Sequence, residues 1–221
     1  MKTALVIGAT GGIGQAICAE LSGQGHHVTQ VSRSRDGLDI RSEASIKSVL
    51  DPLTGPYDLI FIATGALQID GAAPEKSLRQ LSETALQDQF AVNATGPALI
   101  LKHSLRLLPR DKRGVISALS ARVGSIGDNR LGGWYGYRAA KAALNQIIHG
   151  AAIEIARTHK HAICVALHPG TVATPFTADF VSPEKATPPK DAAKSMLAVL
   201  DGLTPEHTGN FYDYAGKPIP W

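Results

Sequence analysis

The sequence is poor in cysteine and aromatic residues, has no dominant charge of either sign and contains no long hydrophobic run. Two cysteines, Cys18 and Cys164, cannot make the disulfide framework that staples small secreted domains. Both fall in apolar segments that read as a buried helix and a buried strand, where a thiol behaves as a small core residue. Lys and Arg number 22 against 19 Asp and Glu, a formal net charge of +3. That balance is too small and too scattered for the basic footprint of a nucleic-acid binder. No apolar stretch reaches the roughly 20 residues of a membrane span. Neither nucleic acid nor membrane is therefore an expected partner, and a small molecule is. The sequence runs from "MKT" straight into "ALVIGA" with no charged leader or cleavage site, which gives the expectation of a cytoplasmic location. The eight histidines show no spacing with carboxylates that suits a metal, and no metal site is expected.

What is present is an ordinary globular composition, 44% hydrophobic and 19% charged over 221 residues, long enough for one domain that buries on the order of 70% of its unfolded surface. Short apolar runs at 4–8, 26–33, 57–65, 114–120, 162–170 and 209–214 alternate with helical patterns at 12–23, 42–51, 82–108, 137–158 and 190–201. Strands apolar on both faces, alternating with helices, predict a doubly wound parallel sheet of the Rossmann type, an α/β fold in a single domain. One interval is too short: only "SRDG" separates the second strand from "LDI" at 38–40, where a parallel crossover needs about a dozen residues. A trimmed helix and a short or degenerate strand near residue 39 are expected there.

Directly after the first strand comes "VIGATGGIGQAICAEL", with Gly8, Gly12 and Gly14 leading into an amphipathic helix. Glycines permit a tight turn and close approach to a diphosphate, which the free N–H groups of a helix start then bind. Thr10 and Ile13 belong to the same turn. At the end of the second strand an acid would hold a ribose 2′-hydroxyl and a base a 2′-phosphate. The residues there are Ser32 and Arg33, with Arg35 just beyond, which favours NADP(H); Asp36 in the same turn keeps NAD(H) open. In "GGWYGYRAAKAALNQ" two tyrosines precede one lysine. Four residues apart on a helix is one face and six is not, so the candidate pair is Tyr137 with Lys141 rather than Tyr135 with Lys141. A nearby ammonium favours the phenolate and would lower the phenol pKa. Asn93 in "FAVNATGP" stands four residues before Pro97, which has no N–H to bond its carbonyl.

Together the Gly8, Gly12 and Gly14 spacing, Tyr137-x3-Lys141 and "HPGTVAT" at 168–174 make the chain resemble the short-chain dehydrogenase/reductase family along essentially its whole length. The run from Gly124 to Asn145 is most similar to the small single-domain branch of Sniffer-type carbonyl reductases and C-factor-like proteins. The resemblance implies one domain over 1–221, with a cofactor half at about 1–120 and the catalytic helix and substrate loop at about 121–221. It implies that Tyr137 is the acid/base, that Lys141 binds the nicotinamide ribose, and that the Asn93 carbonyl holds a water linking the lysine to solvent. Asp39 and Ile40 correspond to the adenine contacts, Gly65 to the glycine after the third strand read here, and Pro169, Gly170, Val172 and Thr174 to the nicotinamide contacts. The implied activity is interconversion of a small carbonyl compound and its alcohol, in a homodimer or homotetramer.

Two departures stand out. The family's "NNAG" is here "IATG" at 62–65, with only Gly65 retained. The family's catalytic serine, three residues before the glycine at 124, is Ala121. Ser120 is the first substitute and Ser125 the second, although a one-residue shift on a strand reverses the side-chain direction. These departures leave room for a dinucleotide-binding sensor that has lost turnover. A nucleotide-sugar epimerase or dehydratase is a further alternative, but little chain follows "PGT" to build its substrate domain. The segment 174–190 is expected to be a lid, with Phe176 and Phe180 as apolar contacts.

Overall fold

The computed structural model describes residues 2–221. Six strands, β1 (Thr3–Ile7), β2 (His27–Val31), β3 (Leu59–Ile62), β4 (Gly114–Leu119), β5 (Ala162–His168) and β6 (Phe211–Asp213), form one sheet in the order β2-β1-β3-β4-β5-β6. Every neighbouring pair is parallel. The doubly wound sheet expected from the alternating apolar runs is the one found.

The period of two along the strands explains why both faces are covered. In β1, Leu5 and Ile7 join a cluster with Ile60, Ile62, Ile116 and Leu144, while Ala4 and Val6 join the opposite one with Phe61, Val165, Met196 and Leu200. The first face lies under α3 (Glu43–Leu50), α5 (Gly96–Ser104) and α6 (Tyr135–Thr158), and the second under α1 (Gly12–Gly23) and α7 (Pro189–Gly202). Cys18 and Cys164 are both buried and free. No helix among the described residues is long and apolar enough to cross a membrane.

The short interval after β2 holds a single helical turn, α2 (Arg33–Asp36), and no strand forms at 38–40. The Asp39 N–H donates to Ser45 Oγ at 3.0 Å, so this backbone group is taken by a side chain rather than by a ladder. Leu38 nevertheless reaches the core.

The long helical pattern at 82–108 is broken. α4 (Glu83–Phe90) passes into a π-helical turn at Ala91–Thr95, then α5, then a 3₁₀ turn at Leu105–Leu107. Pro97 supplies no N–H, and just before it the Gly96 N–H reaches back five residues to Ala91 O. Such single wide turns insert an extra residue and turn a side chain out of register. The residue in the middle of this one is Asn93.

β1 and β3 leave the sheet on opposite sides of the point where strand order reverses. The crevice at their carboxyl ends is where ligands bind in open α/β sheets, and both the glycine-rich turn and α6 border it.

Candidate active site

A cleft runs across the carboxyl ends of the strands in two connected parts, each of about 520 Å³, sharing Thr10, Gly11, Ala63, Thr64 and Gly65 as common wall. One part is lined by Gly8, Ser32, Arg33, Asp39 and Ile40. The other is lined by Gly12, Ile13, Ser120, Tyr137, Lys141, Pro169, Gly170, Val172 and Thr174. Asn93 and Gly14 sit behind the walls, and Arg35, Asp36 and Ser125 line neither part; the other cofactor and catalytic candidates read from the sequence meet in this one cleft.

The glycine-rich turn fits a close-lying diphosphate. Gly8 has φ +89°, and a Cβ there would come within 2.9 Å of the Ala63 backbone; a Cβ on Gly14 would overlap the Gly8 carbonyl oxygen. A side chain at Gly8 would press on the backbone that follows β3, and one at Gly14 would push α1 off the turn after β1. Thr64 Oγ1, in the shared wall, is buried with no hydrogen-bond partner. A buried hydroxyl without a partner is costly, and a polar ligand in the cleft would relieve it.

At the far end the residues separate into different jobs. Ser32 Oγ accepts from the Arg35 N–H, and the Asp36 carboxylate accepts the Ser32 N–H at 2.8 Å. The acid that kept NAD(H) open is thus engaged with backbone. Arg35 turns to Gln30 Oε1 at 2.6 Å. Arg33 is the arginine of this turn that lines the cleft. Asp39 Oδ1 accepts the Arg41 N–H at 3.0 Å, and Arg41 reaches Asp70 Oδ2 at 3.4 Å along the same wall.

The inner end is drier. α6 begins at Tyr135, so Tyr137 and Lys141 share its buried face, whereas Tyr135 is half-exposed and absent from the cavity wall. The Lys141 ammonium nitrogen lies 5.8 Å from the Tyr137 ring centre and donates to Leu119 O at 2.9 Å. A Cβ on Gly65 would stand 3.0 Å from Asn93 Oδ1 and 3.3 Å from Lys141 Nζ, so the third strand's glycine leaves the space these two groups occupy. Asn93 is fully buried: its Oδ1 accepts the Ala66 N–H at 3.1 Å, and its Nδ2 donates to Ala66 O and Gln89 Oε1, both at 2.8 Å. Gln89 Nε2 in turn donates to Leu67 O at 2.8 Å. Gln89 was not singled out in the sequence; its signal is its place one helical turn before Asn93.

Burial sets the charges here. It pushes the Tyr137 phenol well above its ordinary value and brings the Lys141 amine down to about 7. The lowering of the phenol expected from a neighbouring ammonium is outweighed in the protein alone, because desolvation disfavours both charged forms.

The serines are occupied. Ser120 Oγ donates to Asn145 Oδ1 at 2.6 Å. Ser125 Oγ accepts the Asp128 N–H at 3.1 Å, and Ser125 is not in the cavity wall. Ala121 is in that wall.

The remaining walls are apolar. Trp134, at the start of α6 with φ +51°, meets Phe180 edge to face with centroids 5.7 Å apart, and Phe176 lies 6.2 Å from the Tyr137 ring. The segment expected to be a lid thus places Phe176 against the tyrosine and Phe180 against Trp134. Trp134 was another residue missed in the sequence.

The family model described as "short chain dehydrogenase" matches residues 37–185. C-signal from Myxococcus xanthus is 33% identical over 171 residues, which cover 76% of this chain and 95% of that protein. Among solved structures, a protein of the short-chain dehydrogenase/reductase type from Burkholderia multivorans with bound NADP is 25% identical with a TM-score of 0.81, covering 100% of this chain and 99% of its own. The carbonyl reductase Sniffer of D. melanogaster shares the fold at 20% identity, with a TM-score of 0.79 over 100% of both chains. With a family model spanning most of the chain and a relative one-third identical across nearly its own length, the chain belongs to the short-chain dehydrogenase family of oxidoreductases.

Proposed function

We propose that the protein is an NADP(H)-dependent oxidoreductase that interconverts a small apolar carbonyl compound and its alcohol. The observation that carries this reading is Tyr137 and Lys141 buried on one helix face in the wall of an apolar cavity that is continuous with the glycine-rich turn. Arg33 at the opposite end supports NADP(H), as does the NADP bound to the Burkholderia multivorans relative.

The cofactor supplies the hydride when bound. Gly8, Thr10, Gly12, Ile13 and Gly14 form the turn that would hold its diphosphate, Arg33 would pair with the 2′-phosphate, and Asp39 and Ile40 would flank the adenine. Pro169, Gly170, Val172 and Thr174 would border the nicotinamide. In the direction of reduction, Tyr137 would give its phenolic proton to the carbonyl oxygen. A phenol held protonated by burial is suited to that donation. Lys141 would exchange its contact with Leu119 O for the ribose and favour the phenolate that remains. Asn93, fixed by Ala66 and Gln89, would carry the water that returns a proton. Trp134, Phe176 and Phe180 exclude water and favour an uncharged substrate.

The experiment is a screen of aliphatic and aromatic aldehydes and ketones with NADPH and with NADH, followed by loss of the reduced-nicotinamide absorbance. Turnover with NADPH supports the reading. Tight NADPH binding with no turnover on any carbonyl would instead favour the sensor reading, which Ala121 makes specific.

A further inference from the structure

The proposed chemistry needs a second hydrogen-bond donor beside Tyr137, since charge develops on the substrate oxygen, and Ala121 cannot supply one. We propose that the imidazole of His168 is this donor, binding the substrate oxygen from the neighbouring strand. The inference rests on the reductase reading above.

The topology puts His168 in the right neighbourhood. β4 and β5 are paired with Leu119 opposite Leu167, and the Ser120 N–H donates to Leu167 O at 2.7 Å. His168 is therefore beside Ser120 and next to Ala121, at the strand end that opens into the cavity. Its faces follow from the period of two: Leu167 belongs to the cluster on the α1 and α7 side, so His168 points to the side of α6, which carries Tyr137. It lines the same cavity as Tyr137, Lys141 and Ala121.

Its surroundings leave it available. Nδ1 is buried and has no partner, which leaves Nε2 as the nitrogen to meet a substrate in the cavity that His168 lines. The tautomer with hydrogen on Nε2 thus offers a donor there. The flanking charged groups are engaged elsewhere: Asp213, its register partner on β6, accepts the Ala215 and Lys217 N–H groups at 2.9 and 3.0 Å, and Arg122 Nε donates to Asp128 Oδ2 at 2.7 Å. Burial, reinforced by the Arg122 guanidinium and opposed by Asp213, holds the imidazole down to about 4. At neutral pH it is an uncharged donor, able to bind the oxygen without taking over the proton transfer. Tyr137 still gives the proton, and His168 ends the step as it began.

The test measures steady-state turnover with the best carbonyl substrate and, separately, NADPH binding by fluorescence. Removing such a donor commonly costs about 10²- to 10³-fold. His168→Leu is expected to lose about 100-fold in kcat with NADPH affinity within twofold of wild type, and His168→Gln, which keeps an N–H, to lose at most about tenfold. Adding Ala121→Ser to His168→Leu should restore at least tenfold, because it returns a donor to the same oxygen. If circular dichroism shows that His168→Leu has not folded, His168→Met takes its place against His168→Gln. An active wild type with His168→Leu or Met within a few-fold of it, a larger loss in Ser120→Ala than in either, or no recovery on adding Ala121→Ser overturns the inference and leaves the reductase reading standing. A wild type that binds NADPH and turns over no carbonyl overturns both.

Discussion

The two ends of the cleft are built from opposite materials. At the outer end the groups are exposed and charged: Arg33 is open to solvent, and Arg41 is shared between Asp39 and Asp70 at separations of 3.7 and 3.4 Å. At the inner end Tyr137, Lys141 and Asn93 are 5%, 2% and 0% exposed, and their walls are aromatic. Solvent screens the first set, whose expected contribution is affinity that is equal for substrate-free and reacting complexes. Desolvation governs the second, so small changes there alter protonation states and therefore rate. On the function proposed above, binding falls to one end and chemistry to the other, a division that breaks if substitutions at the inner end change affinity or those at the outer end change turnover.

The sharpest break would come from the tyrosines. Tyr137→Phe is expected to cut kcat by about 10²-fold or more, the usual worth of a positioned acid, while NADPH affinity stays within twofold. Tyr135→Phe should do neither, since Tyr135 lies outside the cavity wall. Steady-state kinetics paired with a binding titration separates the two, and a sensitive Tyr135 would overturn the helical register.

Arg33→Ala carries the converse expectation at the outer end. Loss of a charge-assisted contact worth about 1.5–3 kcal/mol would weaken NADPH roughly 10- to 150-fold, with NADH and saturated turnover nearly unchanged. Equal weakening of both cofactors, read by titration, would mean that Arg33 does not meet the 2′-phosphate.

These two ends also differed in how far they could be read from sequence. Short apolar runs located the strands, and the i, i+4 rule put Tyr137 rather than Tyr135 on the face of Lys141, because apolar runs and helix repeats are local properties. The π turn at Ala91–Thr95 was half legible: Pro97 announced a break, but its outcome depended on where Ala66 and Gln89 stood to receive the Asn93 side chain. The strand near residue 39 failed for a similar reason, since Ser45, six residues on, took the Asp39 N–H. The serine question turned wholly on tertiary contacts. Nothing in "ALSARVGS" announces that Ser120 donates to Asn145, or that Trp134 and Gln89 belong to the site. Burial likewise reversed the expected direction of the Tyr137 shift, and burial is a property of the assembled layers.

Desolvation at the inner end has a consequence for stability. With its amine lowered from 10.5 to about 7, Lys141 is neutral in the folded chain over a range where the unfolded chain holds the proton. Stability of the cofactor-free protein should therefore rise with pH from about 7 towards 10.5 and be lost as pH falls through 7. The Tyr137 phenol, raised above its ordinary 10, acts the other way only above that pH. Urea unfolding of wild type and Lys141→Met at pH 7, 8 and 9 would test this: the slope should flatten in the variant. An unchanged slope would mean that the amine is hydrated and the inner end not dry.

The smallest effect is expected where the outer end looks most organised. Arg41 and Asp70 bridge two loops in the wall of the outer part of the cleft, yet their side chains are 45% and 74% exposed. An exposed pair of this kind contributes at most about 1 kcal/mol, offset by side-chain entropy and screened by salt. Asp70 holds φ +49°, a conformation that asparagine tolerates as well as aspartate, so Asp70→Asn removes the charge without disturbing the turn. NADPH affinity in Asp70→Asn should change by less than about threefold at low ionic strength, and the difference should vanish above about 0.5 M salt, where the screening length falls to a few ångströms. A tenfold change that persists in high salt would mean that the bridge is desolvated when the cofactor binds. The outer end would then share the dry character of the inner one, and the division between binding and chemistry would have to be redrawn around Arg41.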